Sequence, residues 1–522
     1  MNNQCHAAIL LCALMIAPAV HSETPRSVIP WLSDSLLRPP EQDAAAEPEI
    51  APLIDQVITE IETSTLDAPL RDGVGILNTS QTGFPSNLWG QTSALRVRRL
   101  ILDHPGTGVP AARKLFHEIL QAETSPPPGS TGQNTVLLAR IDRLMEHGQL
   151  EQAEALVELA GITSPEMFLR AFDIGLLTER SEGVCEVLRA SPALSPTLPA
   201  RVFCLARLGD WDAAALTLGL GHEIGEITPQ QEEILARFLD PELFEGTEDP
   251  PIPSPLTTLD FVLRDAVALP RPPGNLPLAF VHLDIGEHAG LRSRIISGER
   301  MAREVALPTS VLFAAYRAGK PAASGGVWEH AAAVQTLDSA IESGDTARIV
   351  ASLVKADDIF QEIGLRLNFA QDVAPRLSVL ENATLTSDER HRVYSLLMLA
   401  ENWSGARRFM ADNNDVNDRF FRALAEPGTK FPDADVLGPL RLAAARGLTM
   451  PNPPNETADF VAQRIDDGFF GEGVLMALDD LAGGVEIDPG DLESGLWLLR
   501  RAGLPGIARN IAAQTLILLP EA

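Results

Sequence analysis

The sequence predicts an all-α protein, an irregular α-solenoid of degenerate helical hairpins arranged in two lobes. Three observations predict it. Aromatic residues make up 5% of the 522 positions against 45% hydrophobic ones, so the apolar surface is Leu, Ala, Val and Ile, which suits helix-on-helix packing better than β-sandwiches. Apolar residues recur at helical spacing over long stretches. Glycine-centred turns interrupt that spacing about every 30 residues, as hairpin arrays require.

Taken in order, residues 1–22 read as a cleavable signal peptide. An apolar run extends from Ala7 to Val20, and Val20-His21-Ser22 has the small-residue form of a signal-peptidase site. The run is too short to span a bilayer comfortably, and no later segment is long and apolar enough to do so. The six residues before it carry no Lys or Arg, which departs from the usual positive start. A periplasmic product cleaved near Ser22, with no direct membrane insertion, is expected. Residues 23–49 contain too little apolar surface to offset the cost of ordering and read as a tether. Within them, Ile29-Pro30-Trp31-Leu32 is a short apolar knot that either docks on the protein itself or serves as a linear motif for a partner.

At this length a single core stops growing, so lobes or an extended array are expected. The proline-rich residues 249–277 cannot continue a helix and are taken as the connection between an N-terminal lobe, 50–248, and a C-terminal lobe, 278–522. A short apolar helix from Leu259 to Ala268 is expected inside that connection, and residues 125–129 form a smaller proline break.

The hairpin pattern is clearest from Val136. Leu137, Ile141, Leu144 and Met145 lie on one helix face, His147-Gly148-Gln149 turns the chain, and Leu150, Ala153, Leu156, Val157 and Ala160 form the next face. Phe203 to Leu208, Gly209-Asp210-Trp211, and Ala214 to Leu218 repeat it. In both, alanine stands five residues after the turn glycine, where a small residue lets the second helix approach the first. Arg180 to Cys185, Glu401 to Ala406 and Gly503 to Ala508 share the spacing; Ser343-Gly344-Asp345 and Arg446-Gly447-Leu448 read as turns without the alanine. These hairpins resemble tetratricopeptide or Sel1-like repeats in architecture, without their full signatures. Three phrases, Gly83-Phe84-Pro85 with Leu88-Trp89-Gly90, Arg201 to Ala206, and Lys320 to Trp328, together resemble an exported helical family of alphaproteobacteria that has no assigned activity. That resemblance implies compartment and fold, and carries over no catalytic residue.

The formal net charge of −30 excludes nucleic acid and anionic membranes as natural partners, since both need a basic patch. Loss of the signal peptide leaves Cys185 and Cys204 as the only thiols in an oxidising compartment. They sit on helices expected to be neighbours, as a disulfide or as two buried thiols, with no activating neighbour for redox or nucleophilic work.

Other groups fail on spacing. His282, Asp284, Glu287 and His288 lack both the His-x-x-x-His and the His-Glu-x-x-His register of a zinc helix. Residues 412–418 put Val416 where a calcium loop needs an oxygen ligand, and read instead as an inter-hairpin loop with helix N-caps. Ala323-Ser324-Gly325-Gly326 lacks the lysine of a phosphate loop, leaving Ser324 as an N-cap with Glu329 in the first turn. Glu493-Ser494 matches the acid dipeptide of lytic transglycosylases, but its context differs and too little chain follows for a catalytic lobe.

The expected role is therefore non-enzymatic, without metal or cofactor: an extracytoplasmic scaffold or assembly factor that engages another exported or membrane-anchored protein. The alternatives are a periplasmic accessory of the flagellar motor, a small-ligand binding protein with its pocket between the lobes, and a cell-envelope hydrolase. The sequence says nothing of oligomeric state.

Overall fold

In a computed structural model, residues 70–519 are described, apart from Pro196, Glu287, 321–324 and 411–414. The expected signal peptide, tether and apolar knot lie outside the described residues. The described chain is all-helical, its one β-feature being an isolated bridge between Leu77 and Ala122. None of its helices is long and apolar enough to cross a membrane.

The first helices are α1 (Ala94–Asp103), α2 (Pro110–Gln121), α3 (Thr135–Glu146), α4 (Leu150–Ala160), α5 (Pro165–Leu177), α6 (Ser181–Ala190), α7 (Leu198–Arg207), α8 (Trp211–Glu223) and α9 (Pro229–Leu239). From α2 to α9 each packs on the next. α10 (Thr258–Ala266) is the short helix within the proline-rich connection and packs back on α5. There follow α11 (Leu291–Arg303), α12 (Thr309–Arg317), α13 (Val327–Ser343), α14 (Thr346–Glu362), α15 (Arg366–Val373), α16 (Ser387–Leu399), α17 (Trp403–Arg407) and α18 (Val416–Ala425). The chain closes with α19 (Pro439–Thr449), α20 (Glu456–Asp466), α21 (Phe470–Asp480), α22 (Pro489–Arg501) and α23 (Pro505–Ile517). α21 and α23 return to pack on α2, and the described residues all fall in one compact unit.

Forty prolines are compatible with so much helix because of where they stand. Pro110, Pro165, Pro229, Pro439, Pro489 and Pro505 each open a helix, where the missing N–H had no intrahelical acceptor to lose.

The hairpin turns follow the expected rule with one change of register. Gly148, Gly209, Glu401 and Gly503 all have positive φ, and Ala153, Ala214, Ala406 and Ala508, five residues on, are fully buried. In the α5–α6 hairpin the positive φ falls on Glu179, not Arg180, so the buried Cys185 is six residues on. The small residue is on the other helix here: a Cβ on Gly175 would lie 3.2 Å from the Ser181 Cα, which shifts the point of closest approach to the start of α6.

Two local expectations are corrected. Gly447 is no turn; it is buried within α19, where an added Cβ would come within 2.8 Å of the Glu493 carbonyl oxygen and 2.9 Å of the Leu496 Cβ. Glycine there lets α19 and α22 approach closely. The N-cap of α13 is Gly326, and Ser324 lies outside the described residues.

Several buried helix ends are satisfied by side chains far away in sequence. Asn134 makes no side-chain cap of α3; instead Asp72 Oδ1 accepts from the N–H groups of Val136 (2.9 Å) and Leu137 (3.0 Å). Val109, which cannot cap, precedes α2, whose Ala111 N–H donates to Gln514 Oε1 at 2.7 Å. At the other end of α2, fully buried Arg140 donates to the carbonyls of Leu120 (2.6 Å) and Ala122 (2.8 Å). Each bond satisfies a terminal group the helix leaves without a partner.

Gly447→Ala should lower the unfolding free energy by about 1–3 kcal/mol through overpacking. Gly219→Ala, where a Cβ meets nothing within 4 Å, should raise it by about 0.5–1 kcal/mol through helix propensity. Denaturant titration of the two variants reads the difference.

Candidate interaction surface

The surface best suited to contact another molecule lies around the hairpin of α7 and α8. α8 is apolar around most of its circumference. Its inner residues Ala214, Leu218 and Gly221 are buried against its neighbours. Outward, Leu216 (65% exposed), Leu220 (57%) and Ile224 (65%) form a ridge at i, i+4 and i+8, with Trp211 half exposed at its start. Ala215 and Gly219, also exposed, leave a shallow flank beside the ridge. Large apolar side chains are normally exposed singly, so a contiguous helical stripe marks a contact face. Asp210, Asp212, Glu223 and Glu226 border it, all exposed.

At the N-terminal end of α8 the surface continues into a cleft of about 490 Å³ lined by Leu188, Pro192, Arg201, Leu205, Leu208 and the cystine. Gly209 and Asp210 also line it, and Asp210 caps α8 through the Ala213 N–H at 3.3 Å. Arg201 holds the preceding loop by donating to the Pro192 carbonyl at 2.8 Å. Cys185 and Cys204 are disulfide-bonded, Cα to Cα 5.0 Å, joining α6 to α7. Behind them, in a core shared by α5, α7 and α9, Phe203 stacks on Phe238 and meets Phe172 edge to face. The ridge thus stands on a rigid base.

The remaining sequence candidates have structural roles. His282 lies in a 3-10 helix, Leu278–Ile285, and burial lowers its pKa. Asp284 accepts from Arg271 Nη1 (2.6 Å) and Ser297 Oγ (3.0 Å), and His288 is exposed; Glu287 lies outside the described residues. Among the described residues no group of three His, Cys, Asp or Glu is placed to hold a metal ion. Asp412 to Asn414 lie outside the described residues, while Asp415 caps α18, accepting from the N–H groups of Asn417 (2.8 Å) and Asp418 (3.1 Å). Ser494 is buried and accepts from Asn455 Nδ2 at 2.8 Å, and Glu493 stands 4.0 Å from Arg446. These contacts tie α22 to α19 and α20.

Two further polar clusters are buried in the described chain. His104, His117 and His147 gather around Phe116, with His117 Nε2 and His147 Nδ1 3.0 Å apart and His104 stacked on the ring at 4.2 Å. Gln149 donates to the Val305 carbonyl at 2.5 Å and touches His117 Nδ1 at 3.3 Å, tying the turn after α3 to the end of α11. Burial, reinforced by the Arg143 charge and, for His117 and His147, by Arg113, lowers the three pKa values to about 4 (His104), 3 (His117) and 2 (His147). In the second cluster the buried Glu299 carboxylate accepts from Tyr316 Oη (2.9 Å) and His330 Nδ1 (2.6 Å), joining α11, α12 and α13. Burial and the Glu299 charge push the Tyr316 phenol far above its ordinary range, so it acts as a fixed donor. Neither cluster has a sequence signature, because its members are separated by whole helices.

Two measurements follow. In histidine-labelled protein, the His104, His117 and His147 resonances should not titrate between about pH 8 and 5. Because their folded pKa values lie below the unfolded value, they contribute full stability above about pH 6.5 and lose it as pH falls toward 4, by about 1.4 kcal/mol per pH unit for each site. His117→Gln should reduce that slope. For the cystine, which closes a loop with a sequence separation of 19, Cys185→Ala/Cys204→Ala should lower stability by about 3 kcal/mol, read by denaturant midpoint against the parent chain.

Compared with family models, curated proteins and solved structures, the chain matches none.

Proposed function

We propose that this protein is a non-enzymatic, extracytoplasmic interaction scaffold whose hairpins form an irregular, tetratricopeptide-like α-solenoid, and that the α8 ridge is its docking face. The observation that carries the reading is the exposed Leu216-Leu220-Ile224 stripe on a disulfide-anchored hairpin. Export is supported by the apolar run at residues 7–20 and by the two later cysteines, the only pair left after cleavage near Ser22.

The occupant is an amphipathic helix of another exported or membrane-anchored protein, carrying basic residues beside its apolar face. Helix-in-groove recognition uses anchors at the spacing α8 presents, and Ala215 and Gly219 admit a second helix at short distance. The acidic border and the net charge of −30 complement a basic flank. A second copy of this chain would bring the same acidic border and be repelled.

A photo-crosslinking residue at Leu220 of the full chain, in cells that make it naturally, tests the proposal. It should trap one protein whose crosslinked segment is apolar with Lys or Arg on its flanks. With the crosslinker kept at position 220, Leu216→Asp/Ile224→Asp should abolish capture without lowering thermal stability, since both side chains are exposed, and capture should weaken as salt rises. Crosslinks confined to residues 23–49 of this chain, or to a second copy, would sink the proposal.

A further inference from the structure

A second cleft, far along the chain from α8, has the chemistry of a small-ligand site. It holds about 480 Å³ between the C-terminal part of α14, the middle of α16 and the last turn of α23, and three arginines line it: Arg366, Arg392 and Arg441. They come from α15, α16 and α19. Their convergence is notable in a chain where acids outnumber bases 71 to 41.

Arg366 is fully engaged. It forms a fork with the buried Asp357 carboxylate (2.8 and 2.9 Å) and donates through Nη1 to the Ile517 carbonyl at 3.0 Å. The other two keep donors in reserve. Arg392 uses only Nη1, toward Asp357 (3.0 Å) and Asp358 (2.6 Å). Arg441 uses Nη1 toward Asn417 Oδ1, with its guanidinium 5.9 Å from the Phe421 ring centroid. Nε and Nη2 of both have no acceptor among the described residues.

Ser395 lines the same cleft. Its residue is 1% exposed, and its Oγ is buried without a hydrogen-bond partner. A buried hydroxyl left unpaired is unfavourable, so its presence beside two under-used guanidinium groups points to an absent acceptor. The remaining lining sets apolar Phe421, Leu516, Ile517 and Leu519 beside polar Asp358, Gln361, Glu362 and His391.

We propose that this cleft binds a small organic acid, its carboxylate accepting from Arg392, Arg441 and Ser395 and its hydrocarbon body resting on Phe421 and the end of α23. A planar carboxylate matches the guanidinium fork. Inorganic phosphate fits less well, because Asp358 and Glu362 also line the cleft and the carbonyl ends of α14 and α23 present partial negative charge. A single negative charge with an apolar body meets both halves of the lining.

Calorimetric titration of the full chain with benzoate, 3-phenylpropanoate and octanoate, against 3-phenylpropanol and inorganic phosphate, tests this. At least one carboxylate should bind at one site per chain with a sub-millimolar dissociation constant, and the alcohol about tenfold more weakly or worse. Arg441→Gln should weaken binding about tenfold or more. Ser395→Ala should weaken it about threefold while leaving the thermal midpoint unchanged or higher, a split that a purely structural serine would not give. The proposal is overturned if no carboxylate binds below about 10 mM, if phosphate binds as tightly as the carboxylates, or if neither variant changes affinity. Arg392 is left intact because it also bonds the buried Asp357 carboxylate, so its loss would change stability together with affinity. The ridge on α8 is untouched by these variants, so this test and the docking test fail separately.

Discussion

The described chain depends on satisfying helix ends that the packing buries. An α-helix leaves its first N–H and last C=O groups without intrahelical partners, and an array of short helices buries many of them. Here the partners are long side chains from elsewhere. Gln514 caps the start of α2 from 403 residues away, and Asp72 caps α3. Arg140 closes the end of α2, Arg303 donates to the Ile363 carbonyl just beyond α14 at 2.6 Å, and Arg366 closes the end of α23. Each bond satisfies a buried group and fixes one helix against another. These caps are mostly arginines, and a guanidinium can reach two or three carbonyls where an ammonium is a point charge.

α23 shows how the same constraint organises the fold. Its small residues Ala508, Ala512 and Ala513 are buried, so α2, α16, α18, α19 and α22 can all pack on it. Gln514 ties it to the earliest helices, and its final carbonyls receive Arg366. Because Arg366 also holds Asp357, the end of α23 is locked to α14, and the cleft of Arg392 and Arg441 lies along that seam.

The α8 ridge arises from the opposite circumstance. Where α23 buries seven of its thirteen residues, α8 buries three and leaves a ridge of large apolar side chains exposed. The disulfide and the phenylalanine cluster anchor its hairpin, so the exposed leucines are presented on a fixed platform. A rigid apolar stripe with an acidic border is suited to recognition, and a scaffold reading follows from that combination more than from the fold class.

By itself the sequence determined the helical class, the glycine turns at Gly148, Gly209 and Gly503, and the buried alanine five residues after each of these and after Glu401, because these follow from local periodicity and, at the three glycines, from their φ preference. It also placed Cys185 and Cys204 on adjoining helices. The tertiary structure alone decided which residues of α8 stay exposed, since a helix apolar all round does not declare its inner face. It alone revealed that Gly447 is a packing contact and that the α5–α6 register is shifted by Gly175, because a glycine needed for close approach looks the same in sequence as one needed for a turn. The histidine cluster, the long-range helix caps and the convergence of Arg392, Ser395 and Arg441 were also invisible beforehand. They depend on contacts between helices that are remote in the chain, and local spacing carries no information about those.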